Sequence, residues 1–562
     1  MNEPSIRHAC TPAANPTRFW PYVILCIVFL LLEIFTRSLF FADTMIYVEE
    51  IQSSAACPSI NECPQIWDAG HLLWRPAGHF LAPMVLPSLK WVEGGDDRMA
   101  ITLLLTIMSD SAIFVTTLFL YSILTRVTGT TLAPLFLTTT FLCTNAILDT
   151  LHSGTPYGVG LAFLAGAIWK VQEASESGRI VDALLAGLLG ALAVSFWIPY
   201  FVALPALLCW LVINGKDRRR QMGVGMVAAA AVTGALLFGL GAHFRGVDSV
   251  SDFRIWFNGS GHGTEQNRNL IRSLFGLPRS FLNMGQVGSR LKQFLFKDPY
   301  ANVNLASLFW FSLWKIGLFY AALMSLIFLY RVPQGRRALL ICGVAFLPTM
   351  VLAVAFEGGS AERYLPLYPF LFIAAAECLC HPKVPRLARV FLILFFLVTI
   401  VTNVPAFSAG RIRSEQDRAA KRINPLLPLR PASYVYVVGR DEIVFLGNDA
   451  PFHEINRGAK FEVQPVYMPM IRTAYWKHDF AAKVLSVWAL GGDVWVTTRV
   501  FYEQPRREWE WVEGDDPNIT WKGIVDFFRP FAYGKAVGGE DGFVLLLHSP
   551  ENQNILRPYL NN

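Results

Sequence analysis

Long apolar runs, most of them near or above the roughly 18 residues that a helix needs to cross a bilayer, recur from Trp20 to Phe407 and then stop. Short Lys/Arg clusters separate them. Because basic residues gather on the cytoplasmic side of short loops, these clusters orient the path. Arg7 and Arg18 put the N-terminus inside, and spans are predicted at about 19–41, 99–124 and 131–148, with a fourth returning to Lys170 and Arg179. A tight pair follows at 181–197 and 199–214, joined at Trp197-Ile198-Pro199 and ending on the basic run KDRRR at 216–220. Further spans are expected at about 222–242 and 305–330, then a ninth that leads out to EGGSAERY, and two more at about 365–380 and 389–407, giving about eleven in all. Residues 1–18 then lie in the cytoplasm and 19–410 form a transmembrane domain, with external loops at 42–98 and 243–304 on the same side as the tail.

After Arg411 the pattern changes. YVYVV, EIVFL and DVWVTT read as strands and FAAKVLSVWALG as a helix, so residues 411–562 are expected to fold as a small extracytoplasmic α/β domain. In the loop at 243–304, Leu270, Leu274, Leu277, Phe281 and then Leu291, Phe294, Leu295 alternate with Arg272, Arg279, Arg290 and Lys292. That spacing suits helices lying in the headgroup plane, and equally helices packed on the protein.

Composition agrees with the pattern. The chain has 562 residues, 53% hydrophobic and only 16% charged, whereas soluble domains carry about 25% charged residues. This is the composition of an α-helical polytopic membrane protein. The formal charge of +6 is spread over the short clusters, which act as orientation signals, so no nucleic-acid partner is expected. The first run is long and aromatic with no small-residue cleavage site behind it, and is read as a retained anchor. Six of the nine cysteines fall in or beside the spans. Cys57 and Cys63 stand instead in the polar first loop, where a disulfide is expected in an oxidising compartment and two unpaired thiols are the alternative.

Candidate chemistry concentrates where spans end. Asp43 follows the first span closely enough for desolvation to tune its basicity, although Asp43-Thr44 also suits a helix cap with Glu49 and Glu50 on a solvated face. His71 and Arg75 in AGHLLWRPAGHF share a face if that stretch is helical, and Arg75 could grip a phosphate. Interfacial polar residues beside Trp74 are the alternative. Glu357, Glu362, Arg363 and Tyr364 in FEGGSAERYLPLYP stand between two apolar spans, with Gly358 and Gly359 allowing a sharp turn. His152 and Asp149 occupy the short loop after the third span. No phosphate-binding or dinucleotide glycine motif is present.

The acid beyond the first span, the His71-Leu72-x-x-x-Pro76 stretch and the late Glu362-Arg363-Tyr364-Leu365-Pro366-Leu367-Tyr368-Pro369 run resemble the polytopic GT-C glycosyltransferases. The likeness is to the bacterial protein-mannosyltransferase-like and lipid A aminoarabinose transferase-like branches, in which similar pieces read R-Y-L-L-P-L-Y-P before a span. It covers residues 19–410 in layout. The resemblance implies a GT-C-like fold in a bacterial inner membrane, with the N-terminus cytoplasmic and the C-terminus extracytoplasmic. It further implies a polyprenyl-phosphate-sugar donor and a glycan, lipid or protein acceptor. Asp43, Glu49 and His71 become the catalytic candidates and Arg75, Arg363 and Tyr364 the donor-phosphate ligands, with Glu50, Glu362 and His152 as further candidates. A paired acidic dyad does not directly follow the first span, so no metal site and no cofactor is predicted; Glu49 or Glu50 could substitute for the missing acid. The competing reading is a polytopic transporter or lipid flippase, whose charges would line a pathway near the bilayer midplane in two related halves.

Overall fold

A computed structural model describes residues 19–36, 42–54, 63, 66–92, 97–215, 218–259, 270–284, 304–356, 358–408, 430, 433–436, 464–466, 476–501, 520–538 and 542–560. Six helices in it are long and apolar enough to cross a membrane: Ala100–Thr128, Arg219–Arg245, Trp314–Arg331, Pro333–Ala355, Glu362–Cys380 and Arg386–Ala406. Four shorter apolar helical stretches, Trp20–Phe35, Leu132–Leu142, Ile180–Phe196 and Ile198–Asn214, accompany them. The chain is an integral membrane protein.

The first two-thirds of the bundle runs α1 Trp20–Phe35, α2 Ala42–Ser54, α3 Trp74–Val92, α4 Asp97–Thr128, α5 Leu132–Leu142 and α6 Asn145–Thr150. It continues with α7 Tyr157–Ser177, α8 Ile180–Phe196, α9 Leu204–Asn214, α10 Arg219–Arg245, α11 Val250–Gly259 and α12 Leu270–Phe281. Burial separates centre from rim: 78% of the apolar window in Glu362–Cys380 is buried against 11% in α10. Val224, Val232, Leu236 and Leu240 of α10 accordingly face outward, as lipid contacts do. Association within a bilayer depends on close backbone approach at small residues. Gly187 of α8 is such a point, since a Cβ there would lie 2.2 Å from the Met226 carbonyl oxygen of α10.

The core is aromatic. Phe281 of α12 stacks on Tyr368 with centroids 4.5 Å apart and reaches Phe319, Phe372 and Phe395. Asn403 fastens the same region, its amide donating to Cys143 O at 2.8 Å and Phe281 O at 2.6 Å while its Oδ1 accepts from Asn283 N–H at 2.8 Å. The end of α1 is tied to the end of helix Arg386–Ala406 by a bridge between Thr36 and Ser408.

The first polar loop and the loop at 243–304 both carry helix. The first polar loop is largely helical, made of α2, a 3₁₀ turn at Ala69–His71 and α3. Of the loop at 243–304, α12 buries Leu277 and Phe281 while leaving Leu270, Ile271 and Leu274 exposed, so the helix is both docked and amphipathic; Leu291, Phe294 and Leu295 lie outside the described residues. Beyond Ser408 the described residues include a five-stranded mixed sheet of order β2-β1-β3-β5-β4, with β1 Tyr434–Tyr436, β2 Gln464–Val466, β3 Val494–Thr497, β4 Tyr533–Val537 and β5 Phe543–Leu546. β1 pairs in parallel with β2 and β3, and β5 runs antiparallel to β3 and β4. Helices Trp476–Ala489 and Trp521–Phe528 cover it through Trp476, Phe480 and Phe528. EIVFL lies outside the described residues.

Candidate functional site

The site begins with the packing of α2. Tyr47, Val48 and Ile51 are buried against Trp74, Leu105 and Phe196, which leaves Glu50 beside the start of α3. There Arg75, almost wholly buried, forms an ion pair through Nε with Glu50, and its Nη1 donates to Asp68 Oδ2 at 3.0 Å. Its guanidinium carbon lies 4.8 Å from the centre of the Tyr47 ring. Burial alone would lower the Arg75 pKa, but Asp68, Tyr47 and Glu50 together hold it above the ordinary value. Arg75 is therefore a fixed positive charge.

His71 and Arg75 do not share a helix face. Pro76 supports the first turn of α3, so the chain before Trp74 is free to form the 3₁₀ turn that carries His71. The two side chains meet instead on Asp68, whose Oδ2 also lies 3.1 Å from His71 Nδ1. A carboxylate on Nδ1 favours the tautomer with the proton there and directs Nε2 away from it, an arrangement suited to proton transfer at Nε2.

A ladder of rings continues from His71 into the bundle. Tyr47 lies on one side of it at 5.6 Å and Tyr157, the first residue of α7, on the other at 6.3 Å. Tyr157 meets Trp197 at 4.8 Å, and the Arg363 guanidinium lies over the Trp197 ring with 5.7 Å from Cζ to its centre. Trp197 is extended between α8 and a 3₁₀ run at Ile198–Ala203, and this break in the helix turns its indole toward Arg363. The ladder joins the first polar segment to the late Arg-Tyr segment.

Tyr364 is engaged with backbone. It is fully buried, and its hydroxyl bonds the carbonyl oxygens of Gly358 at 2.7 Å and Ser273 at 2.9 Å. Gly358 and Gly276 are needed for space: a Cβ on Gly276 would stand 1.8 Å from Gly358 O. Gly358 and Gly359 form the expected turn between helix Pro333–Ala355 and the 3₁₀ run at Glu362, without a left-handed backbone, and Gly358 is pressed against α12. Arg279 reinforces it by donating to Gly359 O at 3.2 Å. Glu362 opens the 3₁₀ run Glu362–Leu367 that carries Arg363 and is half-buried.

Asp43 and Glu49 belong to α2, but their side chains lie outside the described residues, as do Glu357 and Cys57. Cys63 is disulfide-bonded. His152 stands in a second cluster: its Nδ1 is 3.2 Å from Glu33 Oε2 and its backbone N–H donates to Asp110 Oδ1 at 2.8 Å. Sequence reasoning did not find Asp68, Tyr47, Tyr157, Trp197, Glu33 or Asp110. A lone acid inside an apolar run was the available signal for the last two.

No family model matches the sequence, and no curated protein matches it. Among solved structures, the chain is similar to the Archaeoglobus fulgidus oligosaccharyltransferase in the apo form, with TM-score 0.47 and 12% identity over 95% of this chain and 75% of that one. It is also similar to ArnT from Cupriavidus metallidurans bound to undecaprenyl phosphate, with TM-score 0.46 and 12% identity over 96% of this chain and 99% of that one. These structural neighbours are GT-C glycosyltransferases.

Proposed function

We propose that the chain is a glycosyltransferase that moves a sugar from a polyprenyl-phosphate-linked donor to an acceptor on the extracytoplasmic face of a bacterial inner membrane. In this reading residues 411–562 form an extracytoplasmic domain that helps select the acceptor. The observation that supports it is the ladder His71–Tyr157–Trp197–Arg363, which brings the Asp68–His71 pair and the Arg363 cation from distant parts of the sequence into one region. The bond from the sugar C1 to the phosphate oxygen breaks and the pair of electrons leaves with the lipid phosphate. An acceptor oxygen or nitrogen then bonds to C1 and loses its proton to a base.

Asp43 is the base that the resemblance implies, and the Asp68–His71 pair, beside Tyr47 of α2, is a second base. Arg363, whose guanidinium carbon lies 5.7 Å from the centre of the Trp197 ring, offsets the negative charge growing on the leaving phosphate. Arg75 and Tyr364 are reassigned. Arg75 is neutralised by two carboxylates and organises Glu50, Asp68 and His71, while the Tyr364 hydroxyl is bonded to backbone and positions the segment carrying Arg363. Glu49 remains a catalytic candidate and Glu362, next to Arg363, a further one.

Purified protein incubated with radiolabelled polyprenyl-phosphate sugars and membrane extract tests the reading. Sugar transfer that falls on Asp43→Asn and on Arg363→Ala supports it. Release of sugar from no donor in the panel would favour the transporter reading.

A further inference from the structure

We propose that the end of the bundle opposite Arg363 holds the headgroup of an anionic phospholipid of the cytoplasmic leaflet, gripped by Arg331, Arg336 and Arg386. Six cations gather there from two segments. Arg331, Arg336 and Arg337 end the 3₁₀ run Leu326–Arg331 and open helix Pro333–Ala355, and Lys383, Arg386 and Arg389 surround the start of helix Arg386–Ala406. Folding joins the segments. Helix Arg386–Ala406 packs along Trp314–Ser325, and the Cys378 thiol lies 3.7 Å from Ser325 O, tying the end of Glu362–Cys380 to the start of the 3₁₀ run. Arg363 begins Glu362–Cys380, so the cations stand about 25 Å away from it.

Charge is the first argument. No Asp or Glu occurs within 326–340 or 378–392, and Glu377 alone borders them. None of the six cations forms an ion pair among the described residues. The neighbouring corner, where Thr130 Oγ1 lies 3.6 Å from Cys380 Sγ, is built the other way. There Arg126 pairs with Glu173 at 3.2 Å, Lys170 with Glu173 at 2.7 Å and Arg179 with Asp182 at 3.5 Å. Membrane orientation depends on the number of Lys and Arg and hardly on nearby acids. It therefore does not account for acids at one corner and none at the other.

Geometry is the second. Arg336 Nε donates to Tyr330 O at 2.6 Å, and its guanidinium carbon lies 4.8 Å from the centre of the Tyr330 ring. Arg331 lies 5.1 Å from that of Phe328. These contacts orient planar cations while the Nη groups of Arg336 keep their donors for the paired oxygens of a phosphodiester. Arg389 Nε, buried without a hydrogen bond among the described residues, adds a donor at the same end. The apolar surroundings decide for a lipid over a soluble phosphate. Leu387, Val390, Leu394, Leu397 and Val401 are exposed at intervals of three and four, a stripe that starts beside Arg386 and runs along the helix as an acyl chain would. A phospholipid uses both the cations and the stripe, and clusters of about 4–8 Lys and Arg beside a span mark anionic-lipid binding.

The inference stands apart from the transferase reading, since its readout is lipid retention. Delipidated full-length protein in detergent is titrated with dioleoyl phosphatidylglycerol, with dioleoyl phosphatidylcholine, which has the same chains, and with glycerophosphoglycerol, the bare headgroup. Native mass spectrometry counts the bound lipid. Wild type should prefer phosphatidylglycerol over phosphatidylcholine, by a margin that shrinks as salt screens the cations, a reading that needs no variant to fold. Arg336→Gln with Arg386→Gln should weaken phosphatidylglycerol by about 5-fold for each cation removed and roughly 30-fold for the pair. Arg219→Gln with Arg220→Gln removes the same charge from another exposed basic cluster and should change binding little. Equal binding of the two lipids by wild type, an equal loss in the Arg219/Arg220 variant, or displacement of the lipid by an equal concentration of glycerophosphoglycerol would overturn the proposal.

Discussion

Asp68 holds His71 through a 3.1 Å contact from Oδ2 to Nδ1, and the same oxygen accepts from Arg75 at 3.0 Å. Removing that charge separates two effects. Asp68→Asn should lower turnover by about 10²–10⁴-fold, the usual contribution of a positioned proton-transfer group. It should also cost about 1–3 kcal/mol of stability, because buried Arg75 loses one of two carboxylate partners. His71→Gln should reproduce the loss of turnover with a smaller loss of stability. Transfer assays beside thermal unfolding of the same preparations distinguish the two, and equal turnover in wild type and Asp68→Asn would exclude the pair from the reaction.

The contact between Arg363 and Trp197 predicts that charge alone is insufficient. Arg363→Lys keeps the cation but not the planar guanidinium over the indole, and such a contact is worth about 0.5–2 kcal/mol, or roughly 2- to 30-fold in affinity. Binding of polyprenyl phosphate should weaken by that factor in Arg363→Lys and in Trp197→Leu. The double variant should lose little more than either single one, because both remove the same contact. Additive losses, measured by competition binding, would show the two residues acting independently.

Tyr364 should behave as a structural residue. Tyr364→Phe removes the hydroxyl that bonds Gly358 O and Ser273 O, at a cost of about 1–3 kcal/mol for buried carbonyls left short of a donor. Affinity for the lipid phosphate should be unchanged. Gly276→Ala should be worse than Tyr364→Phe in thermal unfolding, since its methyl has no room beside Gly358 O and α12 must move away. A Tyr364→Phe protein of normal stability with weakened phosphate binding would return this residue to the site.

How far these features were legible depends on their physical origin. The apolar helices were legible because crossing hydrocarbon imposes length and composition on each segment separately, and the basic clusters between them stand out. Arg363 was legible as a charge set between two apolar runs. Its partner was not: Trp197 reads in sequence as the hinge between two short spans, and only folding puts its ring under the guanidinium. Spacing linked His71 to Arg75 correctly as neighbours but by the wrong device, because Pro76 starts α3 and Asp68 makes the connection. Strand β4, Tyr533–Val537, escaped notice because it is an edge strand with mostly exposed side chains, so it carries no apolar run.

The sheet region should be sensitive to alkali. Burial holds the Tyr533 hydroxyl well above the ordinary tyrosine range, and Tyr434 is raised by burial and then by Asp479. The Tyr533 hydroxyl also donates to Phe528 O at 2.7 Å, a bond that ionisation would remove. A pKa raised on folding means that the folded state keeps the proton longer than the unfolded chain does. The associated stability is thus complete below the unfolded value of about 10 and declines as pH rises from there toward the folded value, by about 1.4 kcal/mol per pH unit for each such group. Tyr533→Phe should lower stability at neutral pH, through the lost bond, and flatten the decline above about pH 10. Urea unfolding of the full chain in detergent, followed by tryptophan fluorescence across that range, measures both. An alkaline slope unchanged by Tyr533→Phe would mean that this hydroxyl ionises as readily in the folded protein as in the unfolded chain.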